Sequence, residues 1–273
     1  MDLAAHAIHF VFVIFTGLVL GSFATALTWR VPRGIPWAAI GGRQKEFARS
    51  QCVSCQKTIP VQDLAPVFSW IALKGKCRHC GHAIGWQYPA IEIVTLLGCL
   101  GVYMVWGFTA PAFIIMAAVP LLVALLAIDL EHMILPNQLV ALAAALAIIL
   151  IVYQYLAYDA SFGFGRQALQ KLAGMAVFAG VAWLMGAAVG FLKKKEALGM
   201  GDVKFFAMAG LWLGLVYLPF FLIFSGLMGV ISGIGYRYAL KKEIFPFGPA
   251  LILALYAGLL LQGLEIVPFL GVQ

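Results

Sequence analysis

Two aspartates and four cysteines stand out in this chain as residues whose surroundings ask for chemistry. Asp202 follows two glycines in Leu198-Gly199-Met200-Gly201-Asp202-Val203-Lys204, at the mouth of the apolar run Phe205 to Leu213. Asp129 stands at the end of another apolar run, in Ala127-Ile128-Asp129-Leu130. Carboxylates at the edge of membrane helices are rare and usually face a cavity or a partner. Two carboxylates brought close cannot both ionise easily, so one keeps a proton while the other can accept one. Such a pair can activate water against a peptide carbonyl, one group as general base and the other as general acid.

Each aspartate also has a plainer reading. Asp202 could cap a helix N-terminus, where the helix dipole favours an acid. Asp129 falls at the predicted C-terminus of its helix, where the dipole opposes a negative charge, so an ordinary interfacial charge is its only bland account. Glu131 and His132 rival Asp129, but lie further into the following loop. Gly199 and Gly201 let backbone or an extended substrate approach Asp202 closely. Lys204 could position charge there, although two residues along a helix it points to another face. No G-x-S-x-G and no H-E-x-x-H occurs to suggest serine or zinc-protease chemistry.

The cysteines form two C-x-x-C units, Cys52-Val53-Ser54-Cys55 and Cys77-Arg78-His79-Cys80, with 21 residues between Cys55 and Cys77. Two such knuckles at this spacing predict one tetrahedral structural zinc on Cys52, Cys55, Cys77 and Cys80. A pair of disulfides is the alternative, and a reducing cytoplasm disfavours it. His79 and His82 are substitute ligands in reserve. The fifth cysteine, Cys99, lies in an apolar run and reads as a small buried residue.

The elements that must hold these residues are membrane helices. Of 273 residues 63% are hydrophobic and only 11% charged, with mean hydropathy +0.99, against about 25% charged for a soluble domain. The expected fold is an all-α polytopic membrane protein with about eight transmembrane helices. Alternation of the kind an outer-membrane barrel requires is absent. The first run, about Ile8 to Trp29, ends in Arg30 and Arg33 rather than a cleavage site, so it reads as a permanent span. Seven more runs follow at about 90–107, 111–128, 138–156, 171–192, 203–217, 219–239 and 249–270. The expected division is a first span at 1–29, a cytoplasmic four-cysteine domain at 30–89 and a seven-span domain at 90–273.

Charge distribution orients this arrangement. With residues 30–89 in the cytoplasm, 16 of the 18 Lys and Arg residues fall on that side and only Arg166 and Lys171 on the other, as the positive-inside rule demands. Both termini are then periplasmic, and the net charge of +7 needs no nucleic acid to explain it. Asp129 and Asp202 come to the same cytoplasmic edge.

In this order the motifs resemble a known family, the bacterial type IV prepilin peptidases, which are G-x-G-D aspartic proteases of the inner membrane. The resemblance runs through Gly21-Ser22-Phe23 with Arg30-Val31-Pro32, the cysteine knuckles with Trp70, Tyr88-Pro89 with Glu92, Asp129 with Leu135-Pro136, Gly199-Met200-Gly201-Asp202-Val203-Lys204, and Phe247-Gly248-Pro249. It implies that Asp129 and Asp202 are catalytic and that the substrates are prepilins or pseudopilins. It also implies removal of a short basic leader, followed by N-methylation of the new N-terminus with S-adenosylmethionine. Asn137 departs from the acid that the family often carries after the Leu-Pro or Ile-Pro pair. No Gly-rich strand-to-helix fingerprint marks a methyl-donor site; Glu92 is a candidate participant, and its plainer and favoured reading is an interfacial acid near a helix N-terminus. Glu46, Asp63, Glu131 and Glu243 are candidates for contact with a basic leader. Basic residues at 30–49 would lie by anionic lipid.

Two other classes compete. A proton-coupled transporter would use the aspartates as relays, but transporter sites lie near the midplane at a repeat interface. A membrane-anchored zinc-ribbon interaction protein would explain the cysteines and leave Asp129 without a role.

Overall fold

The computed structural model describes residues 3–35, 50–157, 164–193, 198–239, 241 and 245–264. Its helices are α1 (Leu3–Arg30), α2 (Phe68–Ala72), α3 (Gln87–Trp106), α4 (Ala110–His132), α5 (Asn137–Ala157), α6 (Phe164–Lys193), α7 (Met200–Leu213), α8 (Leu218–Ala239) and α9 (Gly248–Gly263). Each of the eight predicted runs contains one of these helices among its described residues. Six of the helices, α1, α3, α4, α5, α6 and α8, contain segments long and apolar enough to cross a membrane.

The other two runs are shorter than expected. At 1.5 Å per residue, the 14 residues of α7 and 16 of α9 reach about 21 and 24 Å, short of the roughly 30 Å hydrocarbon layer. Gly214 at φ 78 ends α7, and a 3-10 turn, Leu215–Tyr217, leads into α8. The short helices are interior ones. Phe205, Phe206 and Met208–Leu213 of α7 are buried, so protein surrounds most of that helix, and half of the α9 residues are buried as well.

Helix α4 is the axis of the bundle: 67% of its apolar window is buried, against 17% for α6 and α8. Small residues let neighbours approach closely. A Cβ on Gly21 of α1 would lie 2.8 Å from the Glu92 Cα of α3, and one on Gly174 of α6 would lie 2.6 Å from the Gly210 carbonyl oxygen of α7. Side-chain hydrogen bonds satisfy polar groups inside the apolar interior. The Trp212 indole donates to the Ala143 carbonyl at 3.0 Å, fixing α7 to α5. The Gln262 amide donates to the Leu213 carbonyl at 2.8 Å, fixing α9 to the end of α7.

These contacts define two edges. At one, His9 stacks on Phe108 with ring centroids 3.9 Å apart, and the Trp106 indole donates to Leu259 at 3.0 Å. At the other, Tyr88 lies within electrostatic reach of Arg33 and Glu131, which brings the end of α1, the start of α3 and the end of α4 together. The four-cysteine segment enters the bundle at this second edge.

Candidate active site and cysteine centre

Asp129 sits on the last full turn of α4 and is buried. Its helix continues three residues further, to His132, and Met133 closes it in the left-handed region at φ 54, donating its N–H to the Asp129 carbonyl at 2.9 Å. The Asp129 side chain accepts a hydrogen bond of 2.9 Å from the backbone N–H of Gly248, at Oδ2. Gly248 is the first residue of α9, with Phe247 as N-cap and Pro249 following. Asp129 therefore caps a helix other than its own. The dipole at the α4 C-terminus opposes its charge, but the α9 N-terminus favours it. The expectation that no helix end could account for Asp129 is corrected by this contact. A cap across 119 positions of sequence leaves no local mark.

Asp202 lies in the first turn of α7, half-buried. Gly199 is the N-cap, at φ −69 and ψ 147, so Asp202 occupies the third helical position. From there its carboxylate turns back to the Gly199 backbone N–H, as the third residue of a capping box does. Capping and dyad are thus not alternatives for Asp202. The same carboxylate interacts electrostatically with Asp129, so the two predicted residues lie within electrostatic reach of each other at the α4–α7–α9 junction.

Neither glycine of the G-x-G-D sequence is demanded by its protein neighbours. A Cβ on Gly199 would stand 3.5 Å from Asp202 Oδ2, and one on Gly201 would stand 3.5 Å from Leu135 Cβ, both ordinary contacts. Gly248 is different: a Cβ there would meet Asp129 Oδ2 at 2.5 Å. Gly248, quoted in the Phe247-Gly248-Pro249 motif of the resemblance, has no role assigned to it by sequence. Its only local sign is a glycine placed directly before a proline at a helix start.

Lys204 is exposed and its ammonium donates to Asn137 Oδ1 at 2.9 Å. This bond ties α7 to the start of α5. Asn137, the departure from the family pattern, is thus the acceptor for Lys204. A cavity of about 650 Å³ reaches Phe247, the N-cap of α9, and is lined also by Phe245 and by Gly226, Gly229, Gly233 and Arg237 of α8.

Glu131 and His132 are exposed beside the junction, 3.8 Å apart from Oε2 to Nε2. Asp63 is not free to meet a basic leader. Arg78 clamps it in a bidentate pair at 2.8 and 2.6 Å, and this hydrogen-bonded guanidinium holds the Asp63 carboxyl below its ordinary range. Glu46 and Glu243 lie outside the described residues. Glu92 is buried and its Oε2 accepts the Val67 N–H at 2.7 Å. Cys99 is fully buried, as expected.

The cysteine segment is two copies of one turn. Cys52 N–H donates to Lys57 O at 3.0 Å and Gln56 N–H to Cys52 O at 2.9 Å; Cys77 N–H donates to His82 O at 2.8 Å and Gly81 N–H to Cys77 O at 2.9 Å. Gln56 and Gly81 hold the matching left-handed position, at φ 56 and 70. Isolated antiparallel bridges, Gln51 with Thr58 and Lys76 with Ala83, close each knuckle. The result gathers the sulfurs of Cys52, Cys55, Cys77 and Cys80 within 4.8 Å of one another. Cys52 and Cys80 Sγ are 3.8 Å apart, close to the edge of about 3.8 Å that follows from four Zn–S bonds of about 2.3 Å. The donor set and spacing fit a tetrahedral metal ion. The Cys55 backbone N–H, foremost, draws the Cys52 thiol down to about 6. At Cys80 the His82 N–H favours thiolate, but burial and the three neighbouring sulfurs outweigh it and push the thiol up to about 11. Four clustered thiols cannot all ionise without a cation among them.

The family model described as the type IV leader peptidase family matches residues 115–234, and that described as the bacterial peptidase A24 N-terminal domain matches residues 15–107. The "Type 4 prepilin-like proteins leader peptide-processing enzyme" of Escherichia coli O78:H11 is 33% identical over 91% of this chain and 92% of its own. A "Prepilin leader peptidase/N-methyltransferase" of Pseudomonas aeruginosa is 34% identical over 94% of this chain and 92% of its own. One of the same description from Bacillus subtilis is 30% identical over 86% and 87%. No solved structure matches. Identity of this degree along nearly the whole length, with the two domain models in order, means that the chain belongs to the type IV leader peptidase family.

Proposed function

We propose that this chain is a prepilin leader peptidase in which Asp129 and Asp202 form the catalytic dyad. The observation that supports the reading is that two carboxylates from different helices interact electrostatically at one edge of the bundle, each also holding a helix-start N–H. Those backbone hydrogen bonds orient both side chains before substrate arrives, which is what positioned acid–base catalysis requires. The ionised carboxylate takes a proton from water as the water oxygen bonds to the scissile carbonyl carbon. The protonated partner gives its proton to the carbonyl oxygen. The aspartate that took the proton from water then gives it to the leaving nitrogen as the C–N bond breaks. A hydroxyl of the tetrahedral intermediate returns its proton to the other aspartate as the new carboxyl forms, which restores one shared proton to the dyad. Gly199 and Gly201 leave room for an extended peptide beside Asp202, and Lys204 supports the start of α7 through Asn137. Of the two residues considered for leader contact that are described, Asp63 and Glu131, Glu131 is the one with an exposed carboxylate at this edge.

The remaining parts of the reading follow from the same frame. The cysteines hold one structural zinc, which would close the 30–89 domain without taking part in cleavage. The two short helices complete an eight-helix membrane unit, with the first span at 1–29 and the other seven in 90–273. The basic edge with its cysteine domain faces the cytoplasm and both termini face the periplasm, in the inner membrane of a bacterium. Prepilins or pseudopilins are the substrates. The names of the relatives support N-methylation with S-adenosylmethionine. Among the described residues no strand-to-helix cradle of the usual nucleotide-binding kind occurs, and no methyl-donor site is assigned.

Mass spectrometry of a pilin incubated with the purified protein tests both activities together. Loss of the leader supports the protease, and an added methyl group supports the second step. An intact prepilin in an assay where a characterised relative cuts it would overturn the reading.

A further inference from the structure

The four-cysteine segment leaves a group of large apolar side chains uncovered. Phe68 and Ile71 are 66% and 62% exposed; three residues apart on α2, they share one face. Val61 and Leu64, in the 3-10 turn just before, are exposed as well, and so is Trp86 at the foot of α3. In a water-soluble domain of this size a cluster of this kind marks a contact surface.

Its depth is set by one hydrogen bond. Glu92 lies five residues into α3, which begins at Gln87, so its Cα is about 7–8 Å below the start of the helix. Helical side chains lean toward the N-terminus, and the Glu92 carboxylate meets the Val67 N–H at 2.7 Å. Val67 is the N-cap of α2, at φ 60 and ψ −50, a conformation a β-branched residue seldom adopts. The backbone is held there by its contact with α3. Because the 20 residues of α3 are about the number needed to cross the hydrocarbon, α2 stands level with the mouth of that span. Trp86 is where interfacial tryptophans occur. Lys74 and Lys76, exposed just beyond α2, suit an anionic lipid surface.

We infer that residues 61–71 form an interfacial foot, which seats the four-cysteine segment on the bilayer by placing Phe68 and Ile71 among the lipid headgroups and upper acyl chains. The occupant of the uncovered face is lipid, continuous with the lipid that surrounds α3. Glu92 is the positioning residue that fixes the depth of the foot.

Spin labelling through a ketone-bearing amino acid tests this without touching the cysteines. The full chain is labelled singly at 68 or 71, at 97 on the exposed mid-span face of α3 as the lipid reference, and at 57 as the aqueous reference. It is placed in nanodiscs of phosphatidylethanolamine and phosphatidylglycerol. At 68 and 71, as at 97, collisions with dissolved oxygen should exceed those with a polar nickel chelate at least threefold, and at 57 the order should reverse. Nickel access at 68 and 71 equal to that at 57 would overturn the proposal. Shielding that appears only when a prepilin is added would also overturn it, since the face would then belong to the substrate. In Glu92→Ala, protection at 68 and 71 should fall toward the aqueous value, while Glu92→Gln, which keeps an acceptor for Val67 N–H, should retain it.

Discussion

The Gly248 backbone N–H donates to Asp129 Oδ2 at 2.9 Å, so a carboxylate carried at the end of α4 stands at the start of α9. This joins two helices more than a hundred residues apart in sequence. It also resolves the electrostatic problem that Asp129 poses on its own helix, because one dipole offsets the other.

Gly248→Ala should therefore impair cleavage more than any other single glycine change at the site. A Cβ at 248 would lie 2.5 Å from the Asp129 carboxylate and 2.7 Å from its carbon, so one of the two must move. Displacement of a reacting group by about 1 Å can cost on the order of 100-fold. Prepilin cleavage by the purified variant should fall by about that factor while the protein still elutes as a folded species in detergent. Gly199→Ala, facing only ordinary contacts within the protein, separates substrate access from internal packing: a raised KM with little change in kcat is the expected result.

Asp129→Asn and Asp202→Asn keep a side-chain oxygen to accept the Gly248 and Gly199 N–H groups. The helix starts should survive, and thermal stability should change little. Proton transfer is lost, at a cost of at least 100-fold for each residue. Kinetics on a fluorescent prepilin peptide check this, and near-normal cleavage by either variant would remove that residue from the dyad.

Much of this architecture is written in the chain as composition. Runs such as Ala112 to Ile128 are apolar all round, and 16 of the 18 lysines and arginines fall in or beside alternate connections, so the apolar runs and an expected common edge for Asp129 and Asp202 can be read from sequence. Helix lengths cannot. Met200–Leu213 is as apolar as a spanning helix, and only its neighbours show that Phe205, Phe206 and Trp212 are buried in protein. Local motifs are legible in kind but not in partner. The Asp202 cap lies three residues from Gly199 and could be anticipated, whereas Asp129–Gly248, Lys204–Asn137 and Glu92–Val67 pair positions that no local pattern connects. Asp63 reads as a free acid beside a basic domain until Arg78 is seen to clamp it.

Lys204 and Asn137 meet at an exposed position, where a hydrogen bond contributes about 1 kcal/mol or less. Lys204→Met should therefore lower cleavage no more than about fivefold, a mild loss beside those of the aspartate variants. Asn137→Asp turns the contact into an exposed ion pair, worth less than about 1 kcal/mol. It should raise thermal stability slightly and leave the cleavage rate unchanged. Steady-state kinetics and melting curves on the two variants separate support of α7 from participation in the chemistry.

Metal analysis of the purified protein should give about one zinc per chain. Cys77→Ser should reduce this sharply and make residues 50–86 sensitive to limited proteolysis, because folding of such a segment and metal binding are coupled. A strong chelator should do the same to the unaltered protein. The membrane helices should stay protease-resistant in both cases, so the cleavage map rather than total loss of protein is the informative readout.

The Asp63–Arg78 pair gives the cysteine domain a pH dependence with a definite sign. The guanidinium holds the folded-state carboxyl below its ordinary value, so between the two values the unfolded chain binds more protons than the folded one. Stability there rises with pH. The contribution is fully present above the unfolded value of about 3.9 and disappears as pH falls through the lower folded value. Asp63→Asn should therefore be less stable than the unaltered protein at pH 7, and the difference should shrink to nothing in strong acid. Proteolysis rates of residues 50–86, compared between the two proteins at each pH with zinc content matched, measure this difference. A gap that stayed constant from pH 7 into strong acid would show that Asp63 acts through packing rather than through its charge.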